Sequence, residues 1–300
     1  MACSSVAEAA SPAHRAQALL ARASLALLGA LPIPWASALG AALGRLIGLC
    51  MRHRSREAAA RLRRALPEVD ARHARRLIGR MWGQLGRVAA ELPHLSRLRF
   101  TDEPGGWVEL VGREHLERLR DDGRAGIAYT AHLGNWELTA AACHAIGLTG
   151  YLIYRAPNNP LIDDLMRELR SGWALDTVPK GMEGARRLLR AIKAGAHIGM
   201  LVDQKMNDGI PVPFFGRPAM TAPALAQLAL RYRLPVVGVR CERLKGARFR
   251  VTAYPPLPLP ADGAEPEAVA DLMAMINASV ENWVRRRPEQ WLWLHRRWPD

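Results

Sequence analysis

The stretch that decides the fold is GIAYTAHLGNWELTAAACHAIGLTGYLIY, residues 126–154. It holds an apolar run of strand length at 126–130, a helical pattern at 136–146 and a second apolar run at 151–154. The same alternation of short apolar runs and helical patterns extends over residues 107–254. Strands that alternate with helices favour parallel pairing. We therefore expect an α/β fold with a largely parallel central sheet flanked by helices.

The composition indicates a folded protein with anionic partners. The 300 residues are enough for one large or two small domains, and 49% hydrophobic with 23% charged residues excludes disorder as the main state. The net charge of +14 favours lipid headgroups, acidic proteins or nucleic acid, although a GC-rich genome explains the many arginines equally well. The four cysteines are dispersed without a CxxC pair. We expect no metal, no cofactor and a reducing compartment.

The N-terminus carries an uncharged apolar segment, residues 23–44, between arginines. At about 1.5 Å per residue it can just cross a hydrocarbon core of about 30 Å. Pro32 and Pro34 interrupt it, so two short apolar helices, on a membrane or in the core, fit as well. The basic residues 52–56 are expected to face the cytoplasm and anionic lipid. We expect residues 1–56 to form a membrane-associating segment and residues 57–300 the α/β domain.

The residues that follow each strand are the first to consider for function, because ligands bind beyond the carboxyl ends of parallel strands. After the strand at 126–130 come His132 and Glu137, in the spacing H-x4-E. On a regular helix these side chains would diverge by about 140°. If His132 lies in the turn, which Gly134 loosens, Glu137 can reach back to the imidazole. The ring could then act as a general base on a substrate hydroxyl. The pattern is also common by chance, and a lone histidine after a strand is more often structural.

Two further strand ends carry charged residues. Arg155 follows the strand at 151–154 and suits phosphate or carboxylate binding, while Asp203 follows the strand at 198–202. We expect both strands to flank the one that precedes His132, so that Asp203 orders Arg155 or binds substrate hydroxyls. An aromatic loop around residues 214–215 suits either an acyl chain or packing in the core.

Five motifs occur in order along nearly the whole chain: AHLGNWE, YRAPNNP, LVDQ, VPFFGRPAMT and PEQWLWLHRRW. With the apolar N-terminus, they resemble the lysophospholipid acyltransferase superfamily, specifically the bacterial lipid A lauroyl/myristoyl acyltransferases. Mycobacterial mannoside acyltransferases share the architecture. The resemblance implies acyl transfer to a hydroxyl of a lipid A precursor or a related anionic glycolipid. The donor would be an acyl thioester of acyl carrier protein or coenzyme A, and the location the cytoplasmic face of the inner membrane.

The resemblance also implies roles for individual residues. His132 would be the general base and Glu137 the residue that orients it. The substrate-binding residues that it implies are Arg155, Asp203, Asn135, Lys180 and Arg217.

Other interpretations stay open from the sequence. The acceptor of the acyl group could be a phospholipid, an ornithine lipid or a mannoside. A basic nucleic-acid-binding protein is a different class, but the chain has no helix-turn-helix, RNP-like or zinc-finger pattern. A catalytically inactive membrane scaffold is the third alternative.

Overall fold

The computed structural model describes residues 11–154, 156–172, 176–179, 182–261 and 263–299 of the chain. Within these residues, four helices precede the sheet, followed by a short 3-10 helix at Leu92–Arg97. They are α1 (Pro12–Ala30), α2 (Ile33–Cys50), α3 (Arg52–Ala65) and α4 (Ala71–Glu91). The apolar segment therefore forms two helices that meet at Leu31 and Pro32, because proline disfavours helix for the residue before it. The expected domain boundary at residue 56 falls inside α3.

The central sheet has eight strands, and their chain order differs from their order in space. The strands are β1 (Phe100–Thr101), β2 (Val108–Val111), β3 (Ile127–Thr130), β4 (Gly150–Tyr154), β5 (Asp176–Pro179), β6 (His197–Leu201), β9 (Val236–Lys245) and β10 (Arg248–Ala253). Their spatial order is β1-β2-β10-β9-β3-β6-β4-β5. The named pairs are parallel except β9 with β10, which is antiparallel. The prediction of a largely parallel α/β sheet is confirmed.

Helices cover both faces of the sheet, as its side-chain alternation requires. Ile127 and Tyr129 of β3 belong to the core on one face, and Ala128 belongs to the core on the other. The remaining helices are α5 (Arg113–Asp121), α6 (Glu137–Ala145), α7 (Pro160–Arg170), α8 (Met182–Lys193), α9 (Ala224–Tyr232) and α10 (Pro266–Arg286), and a 3-10 turn follows at Pro288–Gln290. Helices α5 and α6 pack on the face of Ala128, and α4, α9 and α10 on the opposite face.

Two expectations about the strands need correction. The strand before Asp203, β6, is a neighbour of β3, but β4, which precedes Arg155, pairs with β6 and not with β3. The expected aromatic loop is a β-hairpin of β7 (Ile210–Phe214) and β8 (Arg217–Thr221). The hairpin lies apart from the main sheet. It therefore tolerates the prolines that would interrupt the hydrogen bonds of a central strand.

Candidate active site

The turn between β3 and α6 places His132 at the carboxyl edge of the sheet. Gly134 in this turn has φ +61°, and a Cβ there would lie 2.5 Å from the carbonyl oxygen of Cys241. Only glycine combines this backbone conformation with this close approach at low cost. The C-terminal segment closes the turn from outside, because the amide of Leu292 donates to the carbonyl of His132 at 3.1 Å. Leu133 also forms an isolated bridge with Trp291. The turn that carries His132 is thus held by contacts distant in sequence.

Asp203, and not Glu137, is the carboxylate that contacts the His132 ring. Its Oδ1 lies 2.8 Å from His132 Nδ1, and its Oδ2 accepts from the His132 backbone amide and from Trp291 Nε1, both at 2.8 Å. The carboxylate has no exposed surface, so in this structure it is not open to substrate hydroxyls. The backbone amide of Val202 donates to the carbonyl oxygen of Thr130 in β3. Asp203 is the next residue, so this bond brings the carboxyl ends of β6 and β3 together.

The surroundings of Asp203 favour its ionised form. Burial opposes the charge, but the interaction with His132 and the hydrogen bonds from His132 and Trp291 outweigh it and lower the pKa of Asp203 well below its usual value. An ionised Asp203 holds the proton of the neutral imidazole on Nδ1. The Nε2 atom of His132 then carries a lone pair that can accept a proton.

Glu137 begins α6 and faces Arg170 of α7. Among the residues that the structure describes, its carboxylate bonds to this guanidinium at 2.6 and 3.0 Å, and no bond joins it to His132. Both side chains are largely buried. Burial opposes the charge of Arg170, but Glu137 outweighs it, and the pKa of Arg170 is raised. Glu137 was expected to reach the imidazole of His132. In this structure it instead forms an ion pair with Arg170 beside the site.

Asn135 points away from the site, into the interior. Its side chain is fully buried, and its Nδ2 donates to Glu91 Oε2 at 2.9 Å. Glu91, at the end of α4, also forms a bidentate ion pair with Arg243 of β9 at 2.6 and 2.8 Å and accepts from Ser37 of α2 at 2.6 Å. In this structure Asn135 therefore connects the turn after β3 to helices α2 and α4 and does not face the His132 ring.

His295 and Gln204 face His132, and sequence reasoning missed both. The rings of His132 and His295 are 5.0 Å apart between centroids. Gln204 Nε2 lies 3.4 Å from the Nε2 atom of each ring. Burial, reinforced by His132, lowers the pKa of His295 to about 4. Both residues lie in motifs that carried the family resemblance, LVDQ and PEQWLWLHRRW, so their place in these motifs was the available signal.

The other expected site residues lie away from His132 or are not among the residues that the structure describes. Arg217 on β8 stacks over Trp298 with its guanidinium carbon 5.6 Å from the ring centroid. Phe214 is almost fully buried and packs against Trp291 and Trp298. This hairpin belongs to an aromatic part of the core and is not open to an acyl chain. Arg155 and Lys180 lie outside the described residues.

An apolar cavity runs between the sheet and α6, beside His132. Trp136, whose ring centroid is 5.1 Å from that of His132, lines it together with Glu137 and Arg170. Its empty volume, which includes the open mouth, is about 710 Å³. Its apolar walls include Ala128, Ala140, Leu148, Leu152, Ile153, Gly199 and Val239. A long apolar ligand fits such a cavity better than a polar one.

The carboxyl edge of this mostly parallel sheet carries a histidine–aspartate pair beside an apolar cavity. These features define a class of α/β protein that can apply imidazole chemistry to a long apolar ligand. The chain belongs to the bacterial lipid A biosynthesis acyltransferase family, whose model matches residues 10–300. It is therefore an O-acyltransferase.

Characterised relatives match over most of their length. The chain is 28% identical over 277 residues to the lipid A biosynthesis lauroyltransferase of Escherichia coli (strain K12). This match covers 89% of this chain and 86% of the relative. It is 24% identical over 283 residues to the lipid A biosynthesis palmitoleoyltransferase of the same strain, with the same coverage. The lipid A biosynthesis acyltransferase of Shigella flexneri matches at the same identity and coverage.

Proposed function

We propose that the protein transfers a fatty acyl chain from an acyl thioester, of acyl carrier protein or coenzyme A, to a hydroxyl of a lipid A precursor or a related anionic glycolipid. The observation that carries this proposal is the hydrogen bond of 2.8 Å between His132 Nδ1 and the buried Asp203, next to the apolar cavity. Family membership supports the reaction class and the type of acceptor. The basic surface, from a net charge of +14, suits an anionic donor and acceptor.

In the proposed reaction His132 is the general base. Its Nε2 takes the proton of the acceptor hydroxyl while the oxygen attacks the carbonyl carbon of the thioester. The carbon–sulfur bond then breaks, and the imidazolium donates this proton to the leaving thiolate. Asp203 stabilises the imidazolium and keeps the ring oriented, and the Trp291 indole fixes the carboxylate. The products are an ester and a free thiol.

The apolar cavity is the proposed site of the acyl chain, and its depth would limit the chain length. Ala140 of α6 lies on its wall, so Ala140→Leu should fill part of it. We expect this variant to lose activity with long-chain donors and to retain it with shorter ones. Ala145→Leu, at an exposed position of the same helix, is the matched control. An unchanged chain-length preference in Ala140→Leu would contradict the assignment.

The Glu137–Arg170 pair has a proposed positioning role at the cavity. Glu137 neutralises the partly buried guanidinium and holds it against the cavity wall, where Arg170 can bind the anionic part of a substrate. Glu137→Gln is then expected to raise KM more than it lowers kcat, because it leaves the His132–Asp203 bond in place. A selective loss of kcat with an altered pH profile would instead support direct contact between Glu137 and the imidazole.

Helices α1 and α2 carry the proposed membrane contact. Nine large apolar side chains on them are 44–73% exposed. Single exposed apolar residues are normal on a protein surface, but a group of this size indicates an interaction surface. This apolar face consists of Leu19, Leu20, Leu27, Trp35, Leu39, Leu43, Leu46, Ile47 and Leu49. Exposed basic residues follow at once at the start of α3, at positions 52–54 and 56. An apolar face beside a basic cluster fits the surface of an anionic membrane.

Packing of α2 on α4 favours insertion into one leaflet over a full span, although α2 is long and apolar enough to cross a membrane. A Cβ on Gly44 would lie 2.2 Å from the carbonyl oxygen of Trp82, and one on Gly86 would lie 2.0 Å from that of Gly40. The two backbones are therefore in direct contact, and α4 would accompany α2 into the bilayer. Because α4 carries Arg80, Gln84 and Arg87 along this stretch, the pair would be costly to bury in hydrocarbon.

Cysteine labelling distinguishes the two arrangements. In a background with Cys3 and Cys50 replaced by serine, Ser11→Cys and Arg56→Cys place one thiol before α1 and one on α3. An in-plane α2 predicts that an impermeant maleimide labels both thiols only in inverted membrane vesicles. A spanning α2 predicts labelling from opposite sides. Leu43→Glu with Leu46→Glu should also release the protein from anionic vesicles, whereas Ala60→Glu with Ala71→Glu, at exposed positions outside α1 and α2, controls for added charge.

The proposed function is tested by lipid analysis and by purified components. Mass spectrometry of lipid A from a deletion strain should show loss of one acyl chain, restored by the wild-type gene and not by His132→Ala. His144→Ala, an exposed histidine, should restore it fully. Unchanged lipid A, together with His132-dependent acylation of a phospholipid, ornithine lipid or mannoside, would assign a different acceptor. Salt-sensitive nucleic-acid binding without any acyl transfer would contradict the proposal altogether.

A further inference from the structure

The side chain of Gln204 covers the nitrogen atom that the reaction needs. Its Nε2 lies 3.4 Å from His132 Nε2. Because Asp203 holds the His132 proton on Nδ1, His132 Nε2 is an acceptor, and the amide presents an N–H group to it. At 3.4 Å this contact is beyond the usual N–H···acceptor distances and correspondingly weak. A substrate hydroxyl must take the place of this amide to reach the base.

His295 provides a second anchor for the same amide. Gln204 Nε2 is also 3.4 Å from His295 Nε2, and the two N–H groups of a carboxamide suffice for two acceptors. The His295 ring is packed at 63° against that of His132. It is partly buried and largely uncharged at neutral pH. Gln204, His295 and His132 therefore form one cluster, which we term the imidazole–amide cluster.

We propose that Gln204, anchored by His295, covers the lone pair of His132 in the free enzyme and gives way to the acceptor hydroxyl, so that the enzyme transfers the acyl chain and does not hydrolyse its donor. This inference rests on the proposed function, because it assumes that His132 is the base. A glycolipid hydroxyl arrives with binding contacts from the rest of the molecule, which can offset the displacement of the amide. A water molecule brings no such contacts. Gln204 thus discriminates between the two nucleophiles.

The competing reaction uses the same atoms. In hydrolysis, His132 Nε2 takes a proton from water and the hydroxide oxygen attacks the thioester carbonyl. The carbon–sulfur bond breaks, and the thiolate is protonated by the imidazolium. The products are a free fatty acid and a free thiol. Release of thiol without acceptor therefore measures how well the base is protected from water.

The experiment compares hydrolysis with transfer in the full-length protein. Lauroyl-coenzyme A and lauroyl-acyl carrier protein serve as donors in mixed micelles. Thiol release is measured without acceptor, and acylated glycolipid is measured with a lipid A precursor. The variants are Gln204→Ala and Gln204→Met, which lack the amide donors; Met retains the length of the side chain. Gln227→Ala, an exposed glutamine on α9, is the control.

We expect both Gln204 variants to raise the ratio of hydrolysis to transfer about two- to fivefold, which corresponds to the loss of one weak hydrogen bond. His295→Gln should raise it by less, and combined with Gln204→Met it should add little. His132→Ala should abolish both reactions. An equal fall of hydrolysis and transfer in Gln204→Met, or an unchanged ratio, would overturn the inference while His132-dependent transfer still supports the proposed function. Transfer that survives in His132→Ala would overturn the proposed function itself.

Discussion

Replacing Asp203 by asparagine tests the central contact of the site, because the structure dictates how an asparagine would be oriented. Asp203 Oδ2 accepts two N–H donors, from the His132 backbone and from Trp291. An asparagine satisfies both only if its oxygen takes the Oδ2 position. Its NH₂ group then faces His132 Nδ1 and donates to it. The imidazole proton is thereby moved to Nε2, so the lone pair needed by the proposed base is lost.

The expected loss of kcat has two parts. The ionised carboxylate stabilises the imidazolium through a charge-assisted hydrogen bond worth about 1.5–3 kcal/mol, which is a factor of about 10 to 10². The tautomer change adds to it. In the serine protease triad the same substitution lowers kcat about 10⁴-fold with the geometry intact. We therefore expect Asp203→Asn to lower kcat by about 10³- to 10⁴-fold with little change in KM.

The assay is steady-state acyl transfer from lauroyl-acyl carrier protein to a lipid A precursor, with thermal unfolding to verify the fold. Asp163→Asn is the matched control, since Asp163 is also buried but bonds to Tyr154, and we expect it to keep kcat within about threefold of wild type. Imidazole ¹⁵N shifts of His132 should report the proton on Nε2 in Asp203→Asn. A variant with more than a tenth of the wild-type kcat would refute the assignment of Asp203 as the orienting carboxylate.

Three further outcomes are expected. Gly44→Leu should release α2 from α4, because its side chain would overlap the Trp82 backbone; limited proteolysis should cut before α3, whereas Ala42→Leu should not have this effect. Glu91→Gln should lower the free energy of unfolding by about 3–5 kcal/mol, because it removes the carboxylate that neutralises the buried Arg243; urea unfolding that changes by less than 1 kcal/mol would contradict this reasoning. Since the pKa of Asp203 is lowered, its ionised form stabilises the fold above an unfolded value near 3.8, and this contribution is lost as pH falls through its folded pKa. Acid unfolding should therefore be less steep in Asp203→Asn than in wild type.

The elements of the fold followed from sequence because the local signals agree. Helix α6 was expected at 136–146 and is found at Glu137–Ala145, and strand β3 was expected at 126–130 and is found at Ile127–Thr130. The order of strands across the sheet had no local signal. Whether β6 or β4 lies beside β3 depends on crossovers that packing decides, and this order determines that Asp203 reaches His132. The strands of the β7–β8 hairpin were missed because their prolines argue against a strand.

The site residues that sequence reasoning missed share one property, which is their distance along the chain. His295 reaches the site only because the C-terminal segment bonds to the turn that holds His132. The ion pair of Glu91 with Arg243 likewise joins α4 to β9. No periodicity or spacing reports such contacts, because they depend on how whole elements pack. A motif shows that these residues recur together and leaves their partners undefined.

The motif AHLGNWE illustrates why spacing alone did not indicate which carboxylate contacts the His132 ring. Each of its polar residues faces a different part of the molecule: His132 faces Asp203, Asn135 faces Glu91, and Glu137 faces Arg170. The three side chains point in different directions because the tight turn before α6 does not repeat the regular rotation per residue of a helix. The same seven residues thus hold the proposed base, connect it to the helices that carry the apolar face and place an ion pair at the cavity. These residues are close in sequence because one turn carries three contacts, and the proposed catalytic pair of His132 with Asp203 forms across strands β3 and β6.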